Sequence, residues 1–342
     1  MIDPSPARLS EYAQLKRLIT DERLLDLRPG WSTFLIVRTL VLLGMSLALL
    51  LVVHNFWFRL LDAAFLAVVF VQIGFVGHDT GHAQVARRGW KRELISLIHG
   101  NVLLGVSAGW WVDKHNRHHS RPNQLDLDPD IDIPIIAFSP EQAERMRGLT
   151  RLIGKYQAYF LFPLFTLEGF SLRLSSLSFL LRRDVKHRAL ELSLLVAHVA
   201  WYGGLLVILL GVWPALLFVV VHQALFGVYM SSVFAPNHKG MLVLEKDSEL
   251  DFLRRQILTA RNVRAHPLID FWYGGLNYQI EHHLFPSMPR ANLKKAQTIV
   301  KSFCAAHAIP YHETGMLRSY GEILHYLHEV AAPLRQGRAQ AM

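Results

Sequence analysis

Four long apolar stretches, arranged in two pairs, constrain this chain more than any other feature. They run from about Trp31 to Val53, Leu60 to Gly77, Ala189 to Leu210 and Trp213 to Phe234. Each approaches the length a helix needs to cross the hydrocarbon core of a bilayer. The first pair is joined by the short link His54–Arg59, the second by Gly211-Val212 alone. Each pair is therefore predicted to form a hairpin that returns the chain to the side it left. In lipid every backbone polar group must find a partner within the protein, which restricts spans to helices or closed barrels. The expected fold is an all-α integral membrane protein with four transmembrane helices in two hairpins and a cytoplasmic helical cap.

Composition agrees. Of 342 residues, 51% are apolar, and the formal charge is +9. The positive charge is shared by both ends and the middle, which suits a cytoplasmic surface facing anionic headgroups. No nucleic-acid partner is expected. The basic flank Arg182–Arg188 marks the cytoplasmic end of a span. Cys304 stands alone, which excludes an intrachain disulfide and a multi-thiolate zinc site. The N-terminus carries scattered charges and lacks the basic-then-apolar start of a signal peptide.

The chain divides accordingly into a cytoplasmic segment (1–30), a first transmembrane hairpin (31–77), a cytoplasmic region (78–188), a second hairpin (189–235) and a cytoplasmic cap (236–342). Pro29-Gly30 breaks the helical lead-in, and Arg38 is placed to snorkel to the interface. Leu94–Trp111 is apolar enough to span, but it contains His99, Asn101 and three glycines. It is assigned to the interface or to a protein-covered position. A true third span would put the histidines on either side of it across the membrane from each other. Asp126–Pro134 reads as an acidic loop, and Tyr156–Leu181, interrupted by Pro163 and Gly169, as one or two amphipathic helices lying on the membrane. Trp110-Trp111 reads first as an interface anchor, and second as channel lining.

The polar segments hold a pattern of histidines. His115, His118 and His119 share one helical face, because residues three and four apart are neighbours. His78 and His82 are four apart. Gln279, His282 and His283 repeat the spacing of the triple, and His238 follows the last apolar stretch. Hairpin parity places all eight histidines on one side of the membrane. Neutral imidazole is the commonest metal ligand. Eight are too many for one tetrahedral zinc and suit two five- or six-coordinate ions. Nitrogen ligands with open positions suit iron and oxygen chemistry. Asp79, Asp113 and Glu281 lie beside ligands and are candidates to hold their distal ring nitrogens, as are Gln279 and Asn237 near the third group. The remaining histidines lack such clustering. His54 is expected on the far side, His198 and His222 within spans as packed residues, and His99, His187, His266, His307, His312, His325 and His328 as ordinary ones.

His78-Asp-Thr-Gly-His82, His115-Asn-Arg-His-His119 and Gln279-Ile-Glu-His-His283 resemble the three histidine boxes of membrane fatty-acid desaturases. The Gln in the third box, the run Leu284–Arg290, the stretch Gly105–His115 and Asp128-Pro-Asp-Ile131 are similar to the front-end branch, which includes linoleoyl-type, delta-5 and delta-6 enzymes. The resemblance covers about residues 60 to 330. It implies two iron ions that use O2 and two electrons to remove two hydrogens from an acyl chain, carried as CoA, carrier-protein or glycerolipid ester. His238 resembles the isolated histidine that this family supplies after its fourth span. The chain departs from many eukaryotic members in lacking the His-Pro-Gly-Gly motif of a fused cytochrome b5 domain; only His266-Pro-Leu-Ile269 occurs. Electrons are expected from a separate donor, ferredoxin or cytochrome b5 with its reductase. The rivals are an acyl or sphingoid hydroxylase of the same superfamily and, from another class, a histidine-lined metal transporter. A transporter would want its polar ligands within the spans.

Overall fold

The computed structural model describes residues 10–182 and 185–336. The expectations for residues 1–9, for Arg183-Asp184 of the basic flank and for 337–342 lie outside the described residues. Among the described residues, four helical segments are long and apolar enough to cross a membrane. They are α2 (Pro29–Val52), α3 (Phe56–Gly81), the segment Arg188–Leu210 and α12 (Val212–His238). The helix α1 (Glu11–Asp21) precedes them. Arg188–Leu210 is α10 (Arg188–His198), one wide π turn at Val199–Gly203 and α11 (Gly204–Leu210). α3 packs against both α2 and α12 and is the most buried of the four.

Buried polar pairs fix these contacts. Ser46 Oγ donates to Asp62 Oδ2 at 2.8 Å, which ties α2 to α3. Arg38, expected to snorkel, donates from its guanidinium to Gln72 Oε1 of α3 at 2.6 Å.

The second and fourth spans continue past their apolar stretches. α3 runs on to Gly81 and α12 to His238, so His78 and His238 are helical residues. A polar side chain does not by itself end a helix, and α12 continues even through the missing donor of a proline. Pro236 supplies such a gap inside α12 by removing a bond to the Ser232 carbonyl. That carbonyl accepts from Tyr320 Oη at 2.7 Å instead.

Between α3 and α10 the chain bends sharply twice. α4 (Gly89–Ser96) runs into a π-helical stretch, Leu97–Leu104, and then turns by 107° into α5 (Ala108–Ser120). The Leu94–Trp111 segment is thus bent, with its corner at Gly105-Val106-Ser107. Gly105 has φ +73°, and a Cβ there would stand 2.3 Å from the His198 ring. Glu191 holds the corner: its Oε2 accepts from Ser107 Oγ at 2.6 Å, Asn101 Nδ2 at 3.0 Å and Gly109 N at 3.3 Å. Ser107 Oγ caps α5 by accepting from Trp110 N. A carboxylate at this helix start also meets the positive end of its dipole.

After α6 (Pro140–Arg145) and α7 (Gly148–Lys155) comes the second bend, 76°, between α8 (Gln157–Phe165) and α9 (Glu168–Arg182). It falls at Thr166-Leu167, while Pro163 stays within α8 and Gly169 within α9. Gly169 serves close packing instead, since a Cβ there would lie 2.5 Å from the Gln223 carbonyl of α12.

The remaining described residues form a largely helical C-terminal cap. It comprises α13 (Phe252–Leu258), β1 (Asn262–Val263), α14 (Pro267–Trp272), α15 (Gln279–Leu284), α16 (Arg290–Ala306), β2 (Glu313–Thr314), α17 (Met316–Val330) and α18 (Ala332–Gln336). β1 and β2 pair in parallel, Asn262 opposite Glu313. α1 belongs to this cap: Leu15 and Ile19 are buried with Leu253, Ile280 and Leu293. The buried ion pair Arg290–Asp79 clips α16 to the end of α3 at 2.5 Å.

Candidate metal centre

Four helix ends converge where α3 and α12 leave the apolar core. α3 brings His78 and, just past its end, His82; α5 brings His115, His118 and His119; α12 brings His238; the short α15 brings Gln279, His282 and His283. All eight histidines called from the sequence meet here. Ligand nitrogens of His78, His82, His115 and His282 lie within 4.8 Å of one another, as do those of His118, His238 and His283. His119 joins the two groups. Its Nε2 is 3.0 Å from His115 Nε2 and 3.1 Å from His282 Nε2, and its ring stacks on His283 at 4.1 Å.

Hydrogen bonds at the distal nitrogens decide what these rings can do. His118 Nδ1 donates to the Asp128 carboxylate at 3.0 Å, and His238 Nδ1 to the Thr259 carbonyl at 2.9 Å. His283 Nδ1 donates to Gln256 Oε1 at 2.9 Å. The amide orientation of Gln256 is fixed, because its Nε2 donates to the His119 carbonyl, which can only accept. With their protons held at Nδ1, these three rings turn lone pairs inward from Nε2. His118 Nε2 is 3.3 Å from His238 Nε2, which is 3.0 Å from His283 Nε2. Lone pairs that face each other this closely repel, and a cation between them removes the conflict. His78 Nε2 and His82 Nε2 are buried with no hydrogen-bond partner. A buried polar atom without a partner is costly, and a metal would satisfy it. The residues present thus fit two metal ions.

Electrostatics favours the ligand form. Burial, reinforced by neighbouring imidazoles, holds His82, His115, His119, His282 and His283 well below the ordinary histidine value. Burial pulls His118 down too, but Asp128 and Asp130 outweigh it and its pKa rises.

The flanking residues divide. Asp79 lies 3.4 Å from His78 Nδ1 and also holds Arg290. Asn237 Nδ2 donates to Gln279 Oε1 at 3.0 Å, and Gln279 Nε2 lies 2.9 Å from His238 Nε2. Glu281 is turned away from the rings and accepts from Asn262 Nδ2 at 2.6 Å and Tyr311 Oη at 2.8 Å. Burial pushes its carboxyl up to about 7. Asp113 faces outward in an ion pair with Arg117 at 3.1 Å. The groups that do hold distal nitrogens include three that the sequence did not assign to this role: Asp128, Gln256 and the Thr259 carbonyl.

The model of the fatty acid desaturase family matches residues 54–315. The chain belongs to this family. Among desaturases it is similar to the acyl-lipid (9-3)-desaturase of Physcomitrium patens, 32% identical, an alignment that covers 96% of this chain and 64% of that enzyme. It is similar to the delta(6)-fatty-acid desaturase fat-3 of Caenorhabditis elegans, 30% identical over 94% of this chain and 75% of the other. The delta(8)-fatty-acid desaturase 2 of Arabidopsis thaliana is 30% identical over 88% of this chain and 70% of its own length. The chain therefore spans roughly two thirds to three quarters of these relatives.

A cavity of about 440 Å³ opens onto this desaturase family member's histidine cluster at His78, His115, His118, His238 and Gln279. Trp110 and Trp111 line it. Trp111 stacks on His115 at 4.4 Å and Trp110 is buried, so both are turned toward the cavity. Their indoles close the site because α5 turns them inward, with Trp111 against the bare Cα of Gly81.

Proposed function

We propose that this chain is a multi-pass membrane enzyme that introduces a cis double bond into a fatty acyl chain. Two iron ions, O2 and two electrons from a separate donor carry the oxidation. His78, His82, His115 and His282 would hold one ion, and His118, His238 and His283 the other, with His119 between them. The bound metals would supply the oxygen activation that an unactivated C–H bond requires. The chain's own residues do the rest. Asp128, Gln256 and Thr259 orient the imidazoles. The cavity takes the acyl chain out of water, and each buried methylene contributes about 0.8 kcal/mol. Trp110 and Trp111 bound the position of the chain at the metal edge, where misplacement by about 1 Å costs roughly two orders of magnitude in rate.

The carrying observation is the clustering of eight histidines, four of which line one cavity, in a chain of this family. Against transport, the ligands gather at the helix ends and not at mid-span. For topology we infer two hairpins, with the metal site and both termini in the cytoplasm. The basic loops support that side, and the contact of His78 with His115, 5.0 Å between ring centres, supports one face for both.

Acyl chains supplied with a reductant and a ferredoxin or cytochrome b5 system should yield a product lighter by two hydrogens. A product heavier by one oxygen, with no new double bond, would make this a hydroxylase. Reporter fusions after Trp90 and Lys186 should report the cytoplasm, and one at Asn55 the opposite side.

A further inference from the structure

The cavity is not apolar throughout. Beside His118 and His238 it is lined by Lys114, Asp130, Glu168 and Lys239. Lys114 pairs with the Asp130 carboxylate. Lys239 Nζ donates to the Asp130 carbonyl at 2.6 Å and stands 4.4 Å from the centre of the Phe138 ring. Glu168 is within electrostatic reach of both ammonium groups. The side chains of Lys114 and Asp130 keep 31% and 32% of their surface accessible, and both residues line the cavity. An ammonium has three donors, and among the described residues each lysine uses one within the protein.

Charged groups are expensive in a cavity built for methylenes, and a polymethylene chain gains nothing from them. A carbonyl oxygen does gain, because a hydrogen bond from a charged donor is stronger than one from a neutral donor. Resting on the desaturase reading above, we propose that Lys114 and Lys239 bind the carbonyl end of the acyl substrate, whether ester or thioester. They thereby set the point from which the reacting bond is counted. The placement is close to the metals: Lys114 precedes His115, Lys239 follows His238, and Asp130 Oδ2 lies 3.5 Å from His118 Nδ1. Only a short run of methylenes fits between such a clamp and the histidines. The remaining chain extends along Leu104, Val106, Leu172 and Met230.

The test uses the full chain in membranes, fed acyl groups of several lengths as glycerolipid ester or as CoA thioester. Double-bond positions are read by mass spectrometry. The wild type should place the bond at a constant distance from the carbonyl carbon whatever the length, and the preferred arm identifies the carrier. Lys239→Met should raise KM by roughly tenfold or more, as loss of a charged hydrogen bond implies. It should also spread the product over neighbouring positions, with metal content unchanged. Lys239→Arg should restore a single position. A wild-type bond at a constant distance from the methyl end overturns the assignment without any variant. So does a Lys239→Met enzyme that keeps KM and position while losing only kcat or metal. A wild type that forms no double bond overturns the desaturase reading and this assignment with it.

Discussion

Buried imidazoles occur in this molecule in two settings. At the helix ends, eight rings point their Nε2 atoms at shared centres. Deeper among the apolar helices, His198 and His222 are equally buried but do not converge. His198 Nδ1 donates to the Val102 carbonyl at 2.9 Å, and His222 Nδ1 lies 2.6 Å from Tyr202 Oη. The Tyr202 ring lies beside both, 5.5 Å from each. The edge of one ring meets the face of the other where Phe70 and His222 pack at 4.5 Å. Burial alone therefore does not make a ligand. What separates the settings is whether several ring nitrogens converge on one point. A ring whose Nδ1 proton is given away while its Nε2 faces another Nε2 is poised for a cation. His222 Nε2 is also buried without a hydrogen-bond partner, but no second imidazole nitrogen faces it; its ring packs on Phe70 as a core residue.

The largest expected effect follows from this contrast. His118→Ala, His282→Ala and His283→Ala should each abolish desaturation and release iron, read by elemental analysis beside activity. His222→Phe, which keeps the ring volume, should retain full iron and lower stability by about 1–3 kcal/mol, the cost of a partner left buried and unpaired. Loss of iron in His222→Phe would erase the distinction between the two clusters.

Next in size is the Asp128 carboxylate. It accepts from His118 Nδ1, from Asn123 N at 2.7 Å and from Asp130 N at 2.9 Å, so one group shapes both the loop and the ligand. Partners of this kind are worth about 10–100-fold in metal affinity or activity. Asp128→Ala should fall in that range when iron affinity is titrated with a competing chelator. An unchanged affinity would mean that His118 needs no orienting.

How much of this was legible in the sequence depends on the range of the interaction. Apolar stretches and the spacing of His115, His118 and His119 are local, and both the long apolar helices and the histidine cluster were read from them. Helix ends were less so, because the polar residues at His78 and at Pro236–His238 carry on a helix that the apolar signal has already left. The corner at Gly105 was not legible as a corner: its glycine needs a left-handed φ, and its carboxylate, Glu191, arrives from a helix 84 residues beyond Ser107. Gln256 was invisible for the same reason. It sits 27 residues before His283 on a helix with no pattern of its own.

Gln279 should give a smaller effect. An amide is a weaker metal ligand than imidazole, and here its Nε2 faces His238 while its Oε1 accepts from Asn237. Asn237 Oδ1 is buried without a partner. Rotating both amides together would turn the Gln279 oxygen toward the metals and give its nitrogen to Asn237. Gln279→Ala should therefore cut activity by roughly tenfold while most of the iron stays, as expected of a group acting beside the ligands. Activity equal to wild type would make it a packing residue.

Asp113 marks the edge of the comparison. It lies two residues before His115, and sequence proximity made it a candidate where Asp128, ten residues beyond His118, was not. The structure aims it at solvent, where it pairs with Arg117 one helical turn away, both side chains about half exposed. An exposed pair at this spacing is worth about 0.3–0.5 kcal/mol and is screened by salt. Asp113→Asn should thus leave iron content and activity as they are and change stability by no more than about 0.5 kcal/mol. Thermal unfolding monitored with and without added salt would check this, since the small difference should vanish at high ionic strength. A drop in iron affinity comparable to that of Asp128→Ala would show that Asp113 turns inward to a ring nitrogen once metal is bound. The line between carboxylates that orient ligands and those that only face water would then have to be redrawn.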